Sequence, residues 1–405
     1  MPPAFDGVRV LELGQIYLAP YCGLLLAQLG ADVIKVEPPG GEQLRFRSHL
    51  PVESHEFVML NSSKRSVVLD LKTDAGRQAL LDLAATADVL IENFAPGTME
   101  RLQLDPERLL EHNPRLVVAS GKGYGSTGPY AHMSAMDITV QAMSGAAAAT
   151  GEPDGPPTKA GASFVDFSGG IHLFGAISAA LFQRERTGRG QIVEVSMHDT
   201  VYPMLASSLG GLHNDPGRQL PERTGNRHSG MALAPYNIYP ASDGWLAVLC
   251  ISERHWRGLA TALGRPELAG DPRFRTEKDR VASIDAVDEQ VSSATRTRTR
   301  AELVRDLQAA GVPCAPVKSI REVDTDEHLI QRGMIQYVEH PARGRVPVPG
   351  CPLRLGDSPA GPLRAAPPLG QSTQEVLAEL TGRADTADEA GTGINGEEPR
   401  HVLHA

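Results

Sequence analysis

The feature that most constrains this chain is the regular alternation of short apolar runs with helical patterns over its first 200 residues. VRVLEL (8–13) reads as a buried strand, Pro20 to Leu29 as an apolar helix closed by Gly30, and ADVIKVE (31–37) as a second strand. A strand, a helix and a strand in so short a span make a βαβ unit, whose strands lie parallel. The pattern recurs in SVVLDL (66–71), a helix from Thr73 to Thr86, ADVLIEN (87–93), a short helix from Pro106 to His112, and RLVVAS (115–120). This predicts an α/β fold with a doubly wound parallel sheet and ligand sites beyond the strand carboxyl ends.

Beyond it, the Ala-, Gly- and Pro-rich stretch from Gly145 to Gly161 reads as partly loop. A long helix from about Gly169 to Arg186, a strand over 190–197 and a helix from His198 to Gly210 follow. Residues 211–235 are polar and rich in Gly and Pro, as a domain boundary or active-site loop would be. WLAVLCIS (245–252) and helical patterns near 253–263, 282–295 and 299–310 describe a second body. The expected organisation is a large Rossmann-like domain over 1–210, a smaller α+β domain over 225–325, and a return to the large domain over 330–383. Ser372 and Glu375 make a capping-box start for a last helix, and 384–405 is expected to be a disordered tail.

Composition narrows the function classes. A formal net charge of −10 argues against a nucleic-acid or membrane-surface binder, which would show a basic excess. No run approaches the roughly 20 uninterrupted apolar residues that span a bilayer, and the N-terminus lacks the pattern of a signal peptide. A cytoplasmic location is expected. The four cysteines form no CxxC motif and the thirteen histidines no HExxH motif, so no metal is expected.

Two segments bear on chemistry. Gly123 to Gly128 fits GxGxxG after a strand, but Pro129 follows rather than an apolar helix, and no acidic residue ends a second strand some 20 positions on. A structural or substrate-lining glycine loop fits better than dinucleotide binding. The second segment, Lys159 to Gly170, carries Asp166 just before the expected long helix, with Ser168 placed as N-cap. The positive end of a helix favours the ionised carboxylate, and Gly169 and Gly170 would leave N–H groups free for an oxyanion. Locally, Asp166 reads as a helix cap or as a carboxylate nucleophile.

With FDGVRVLEL, LGADVIKVEPPGG, NSSKRSVVLDLK, ADVLIENFAPGTMERL, NPRLVVASGKGYGSTGP, VQAMSG, DGPPTKAG, DFSGG, ERTGN, GVPCAPV and PPLGQSTQEVL in this order, the chain resembles the class III CoA-transferases. The similarity runs from Phe5 to about Leu380 and takes in formyl-CoA and carnitine CoA-transferases. The resemblance implies that Asp166 is the nucleophile, passing through aspartyl anhydride and aspartyl-CoA thioester intermediates. Coenzyme A enters as the acyl-CoA substrate, with a small carboxylic acid as partner, and the family forms interlocked homodimers. Carried over, Leu69, Leu71 and Lys72 would flank the nucleotide, and Asn93 and Phe94 would line the CoA path. Arg101 would meet a phosphate, which a guanidinium suits; Asp137 would touch CoA through its neighbourhood. Leu69 and Leu71 also fit plain strand core, Lys72 and Arg101 solvated charges, and Asp137 a helix cap.

Tyr17 and Pro38 stand where formyl-CoA transferases carry Gln and Arg, and TGNRHSG (224–230) takes the place of their glycine-run loop. The nearest rival is an α-methylacyl-CoA racemase, which needs an acid and a base across the α-carbon. Its His position here is Met136, which moves no proton. The other alternative is a non-catalytic CoA-binding protein. Tyr17, Arg45, Arg47, Arg223 and His228 are candidates to face the acyl group, where arginines would suit a dicarboxylate.

Overall fold

The computed structural model describes residues 1–49, 51–215, 217 and 219–380; the tail expected at 384–405 lies outside them. Two compact units are present. Among the described residues, one comprises 1–134, 169–195 and 333–380; the other comprises 135–168 and 196–332. Residues 135–168 and 196–210, read from the sequence as part of the large domain, thus group with the smaller one.

The first unit is built on β1 (Arg9–Glu12), β2 (Asp32–Glu37), β3 (Arg65–Val68), β4 (Val89–Glu92), β5 (Val117–Lys122) and β6 (Ile192–Ser196). Their order is β3-β2-β1-β4-β5-β6. Parallel pairing runs from Arg9 opposite Asp32 to Glu12 opposite Lys35, and from Val10 opposite Val89 to Glu12 opposite Ile91. The order reverses between β1 and β4, so the loops after these strands diverge and open a crevice at the carboxyl edge. Leu11, Ile34, Val67, Leu90 and Val118 from the strands pack with Leu80, Leu83 and Leu109 from the helices. This apolar burial drives the assembly.

Local signals set the helix ends. The Thr73 side chain accepts the Gly76 N–H at 3.1 Å, opening Asp74–Ala85. Asp105 accepts the Arg108 N–H at 3.1 Å, opening Pro106–His112 with proline in the first turn. The third strand ends sooner than its apolar pattern predicts, and Leu69 to Lys72 turn over the sheet edge instead. An antiparallel hairpin, β10 (Ile335–His340) and β11 (Gly344–Pro349), completes this unit together with a last helix at 373–380.

In the second unit, β7 (Tyr236–Ala241), β8 (Gly244–Leu249) and β9 (Cys314–Pro316) form an antiparallel sheet. Helices Glu253–Ala262, Ile284–Thr295 and Arg300–Ala309 bury Trp256, Phe274, Val287, Leu303 and Leu307 with it. The helix expected over 198–210 is divided. Met197–Val201 and Ala206–Asn214 flank a 3₁₀ turn at Tyr202–Leu205, where Pro203 has no N–H to give.

The longest helix is Phe164–Thr187. It is long and apolar enough to cross a bilayer, yet half of its apolar window is buried within the protein, as in a core helix. It begins five residues ahead of Gly169, which changes the reading of Asp166.

Candidate active site

Asp166 lies inside the first turn of Phe164–Thr187 rather than before it. Ser168 is therefore a buried residue of the helix and not its N-cap. The N–H groups of Gly169 and Gly170 are likewise within the helical ladder, so they are not free oxyanion donors. The orphan amides of the first turn point elsewhere. Asp137 Oδ2 accepts the N–H of Val165 at 3.1 Å and that of Asp166 at 3.3 Å.

Asp137 opens its own short helix, Asp137–Met143, after Met136, and that helix carries Gln141 on its next turn. Gln141 Nε2 donates to Asp137 Oδ1, and Gln141 Oε1 accepts the Ala160 N–H at 2.8 Å. The stretch leading to Asp166 is thus pinned at Ala160 and at Val165. The resemblance puts Asp137 near coenzyme A; in the structure it sits against Asp166 and caps its helix.

Asp166 is 8% exposed. Burial first, and the nearby Asp137 carboxylate second, push its carboxyl up to about 7. The sequence expectation of a carboxylate held fully ionised by the helix end is corrected. The helix amides are spent on Asp137, and desolvation outweighs the dipole at Asp166.

The first unit holds a cavity of about 260 Å³ at the sheet's carboxyl edge. Its lining comes from the ends of four strands: Leu13, Gly14 and Gln15 after β1, Pro38 after β2, Leu69 to Lys72 after β3, and Phe94 after β4. Leu69, Leu71, Lys72 and Phe94 are therefore brought together at one cavity. Leu69 is also part of the buried core, and Leu71 packs against it.

Asn93 and Arg101 lie outside this lining. Asn93 Oδ1 accepts the Gln15 N–H at 2.8 Å, and its Nδ2 donates to the Gln15 carbonyl at 2.9 Å, clamping the loop that forms one wall. Arg101 is exposed and donates to Thr98 Oγ1 at 2.7 Å; Thr98 itself lines the cavity.

The residues considered for the acyl group separate. Arg45 is wholly buried and binds both oxygens of Glu37 at 2.7 Å, so it is a structural ion pair and not a substrate contact. Arg47 is exposed and its guanidinium lies 3.5 Å from the Tyr17 hydroxyl. Arg223 donates to the Ala148 carbonyl at 3.2 Å, and His228 Nδ1 accepts the Gly230 N–H at 3.2 Å. Met136, at the racemase His position, is half exposed. Among the described residues no group of three or more His, Cys, Asp or Glu is arranged to hold a metal ion.

Sequence reasoning missed a set of buried charges: Glu37 and Glu42, which line the cavity, and Glu12, Lys35 and Lys64. The signal was present, since Lys35 lies between apolar residues of β2, and Glu12 and Glu37 close the buried strands β1 and β2.

Fold and site define an α/β enzyme with a cavity at the switch point of a parallel sheet and a neighbouring pair of carboxyl groups on its second unit. The chain belongs to CoA-transferase family III, whose family model matches residues 5–373, and it is a transferase acting on CoA thioesters. It is 36% identical over 400 residues to a formyl-CoA:oxalate CoA-transferase from Streptomyces avermitilis, covering 95% of this chain and 97% of the relative. It is 38% identical over 354 residues to an acetyl-CoA:oxalate CoA-transferase from Acetobacter aceti, covering 87% and 89%. A crystal structure of a CaiB/BaiF family protein from Brucella suis superposes with a TM-score of 0.84 at 35% identity, covering 94% of this chain and all of the other.

Proposed function

We propose that this enzyme moves CoA from an acyl-CoA thioester to a free carboxylic acid through covalent intermediates on Asp166. The observation that carries this reading is the setting of Asp166. It is a buried carboxyl in a helical first turn whose amides are already held by Asp137, so capping does not account for it.

The steps balance without water. An Asp166 oxygen attacks the thioester carbonyl, the C–S bond breaks, and CoA leaves as thiolate from an acyl–aspartyl anhydride. The thiolate attacks the Asp166 carbonyl carbon and expels the donor acid, leaving an aspartyl-CoA thioester. The acceptor carboxylate attacks that carbon and releases the thiolate again. The thiolate then takes the acceptor acyl group and restores Asp166. The exchange is thereby split into easier nucleophilic steps.

In this reading the first-unit cavity receives the nucleotide end of CoA, with Lys72 at its lining and Arg101 beside it for the phosphates. The acid is read as a small carboxylate, with a dicarboxylate favoured by the oxalate named for both relatives. The location is read as cytoplasmic and the assembly as a homodimer. Exposed Tyr202, Met204 and Leu212 on the 197–214 segment support association.

The test is incubation with acyl-CoA followed by peptide mass analysis. The expected result is an adduct on the peptide containing Asp166 and loss of exchange in Asp166→Ala. Full-speed exchange by Asp166→Ala overturns the reading.

A further inference from the structure

The turn that forms one wall of the cavity is held by side chains at three consecutive residues. Lys35 Nζ donates to the Gly14 carbonyl at 2.9 Å. Asn93 holds both the N–H and the carbonyl of Gln15. Glu42 Oε2 accepts the Ile16 N–H at 3.1 Å. Ile16 has φ +64°, a left-handed conformation that a β-branched residue adopts only under constraint.

The clamps are themselves coupled. Lys35 Nζ lies 3.1 Å from Glu12 Oε1 and 3.3 Å from Glu42 Oε1. Glu12 Oε2 pairs with Lys64 Nζ at 2.7 Å, and Lys64 also donates to the Pro20 carbonyl and to Asn61. Two carboxylates and two ammonium groups thus form a neutral cluster beneath the turn. Gly23 leaves it room, since a Cβ there would sit 1.9 Å from Glu12 Oε2. Burying four charges is costly and adds little net stability over apolar packing. A hydrophobic cluster would fill the same space but could not hold the Gly14 carbonyl or the Ile16 amide.

We propose that Lys35 and Glu42 are positioning residues that hold the Gly14–Ile16 turn in a strained, ready-made shape against the cavity, so that affinity for acyl-CoA depends on them. The proposal rests on the reading that the cavity takes the nucleotide end of CoA. A turn fixed before binding spares the ligand the cost of ordering it.

Lys35→Met removes the hold on Gly14. Glu42→Asp keeps the charge but shortens its reach to Ile16. Each is expected to raise the KM for acyl-CoA about tenfold while kcat stays within about threefold, a pattern of lost ground-state binding. Loss of fold alone would lower kcat with the active fraction and leave KM unchanged. An unchanged KM in folded variants overturns the proposal. The unmodified enzyme supplies an arm independent of variant folding. Hydrogen exchange of a peptide spanning 13–17 is expected to be slow before CoA is added. Fast exchange that slows only with CoA overturns the proposal and assigns the turn to induced fit. The underlying reading is tested separately by Leu71→Trp, which fills the cavity. Unweakened CoA binding by that variant removes the nucleotide from the cavity, whatever Lys35 and Glu42 do.

Discussion

Asp137 Oδ2 accepts the backbone N–H of Asp166 at 3.3 Å, so one carboxylate caps the helix that carries the other. The helix amides are turned towards Asp137, while Asp166 faces burial and a like charge and is pushed up to about 7. In the proposed function Asp166 attacks in its ionised form. The kcat/KM for acyl-CoA is therefore expected to climb about tenfold per pH unit on the acid side and to level above about pH 7. A pH–rate series from 5 to 9 checks this; a flat profile contradicts it.

Removing the charge on Asp137 separates the two causes. Asp137→Asn keeps an oxygen that can accept the Val165 and Asp166 amides but takes away the second of the forces raising Asp166. The midpoint of the pH–rate curve should move below 7 and stay above the ordinary value of 3.8, because burial remains. Asp137→Ala should in addition lose about 1 kcal/mol of stability, the usual worth of a helix cap. An unmoved midpoint in Asp137→Asn would show that the two carboxyls are not coupled.

The raised proton affinity of Asp166 also has a signature in stability. A carboxyl whose folded pKa exceeds its unfolded one binds its proton more tightly in the folded state. The folded state thus keeps its full stability below about the ordinary value of 3.8 and loses part of it as pH rises towards about 7. Asp166→Asn is neutral throughout and escapes that loss. Relative to the parent enzyme it should gain stability between pH 4 and 7 and level off above, since a tenfold difference in proton affinity between the two states corresponds to about 1.4 kcal/mol. Urea unfolding at pH 5 and pH 8 measures the difference; a gap that does not change with pH contradicts the assignment.

The sheet was legible because its signal is local and repeated. A buried parallel strand needs a short apolar run, and β1, β2, β4 and β5 each lie within or against the run that announces them. Helix starts with a side-chain cap, such as Thr73 and Asp105, were legible for the same reason. Phe164 offers no such mark. The first-turn amide at Val165 is held by Asp137, 28 residues earlier in the chain, so the pattern alone places the helix start too late and Asp166 outside it. The cavity residues Leu69, Leu71, Lys72 and Phe94 were found through resemblance rather than pattern. The ion pair of Glu37 with Arg45 was not: Glu37 stands out at the end of a buried strand, but nothing in the sequence names Arg45 as its partner. Long-range pairing of buried charges leaves no spacing to recognise.

Two glycines of one helix give opposite expectations for the same substitution. Ala in a helix interior is intrinsically better than Gly by about 1 kcal/mol. At Gly175 a Cβ would meet nothing within 4 Å, so Gly175→Ala should raise stability by about that amount. At Gly170 a Cβ would lie 2.7 Å from the Leu18 carbonyl oxygen and 3.2 Å from Tyr21 Cδ1. The first obstacle is backbone and cannot rotate away, so the helices Phe164–Thr187 and Leu18–Gln28 would have to separate locally. Overpacking of this kind costs about 1–3 kcal/mol, more than the helical gain. Thermal unfolding of Gly170→Ala should therefore come earlier than that of the parent enzyme, and of Gly175→Ala later. Shifts of the same sign in both variants would mean that the close approach at Gly170 does not govern the packing of these two helices.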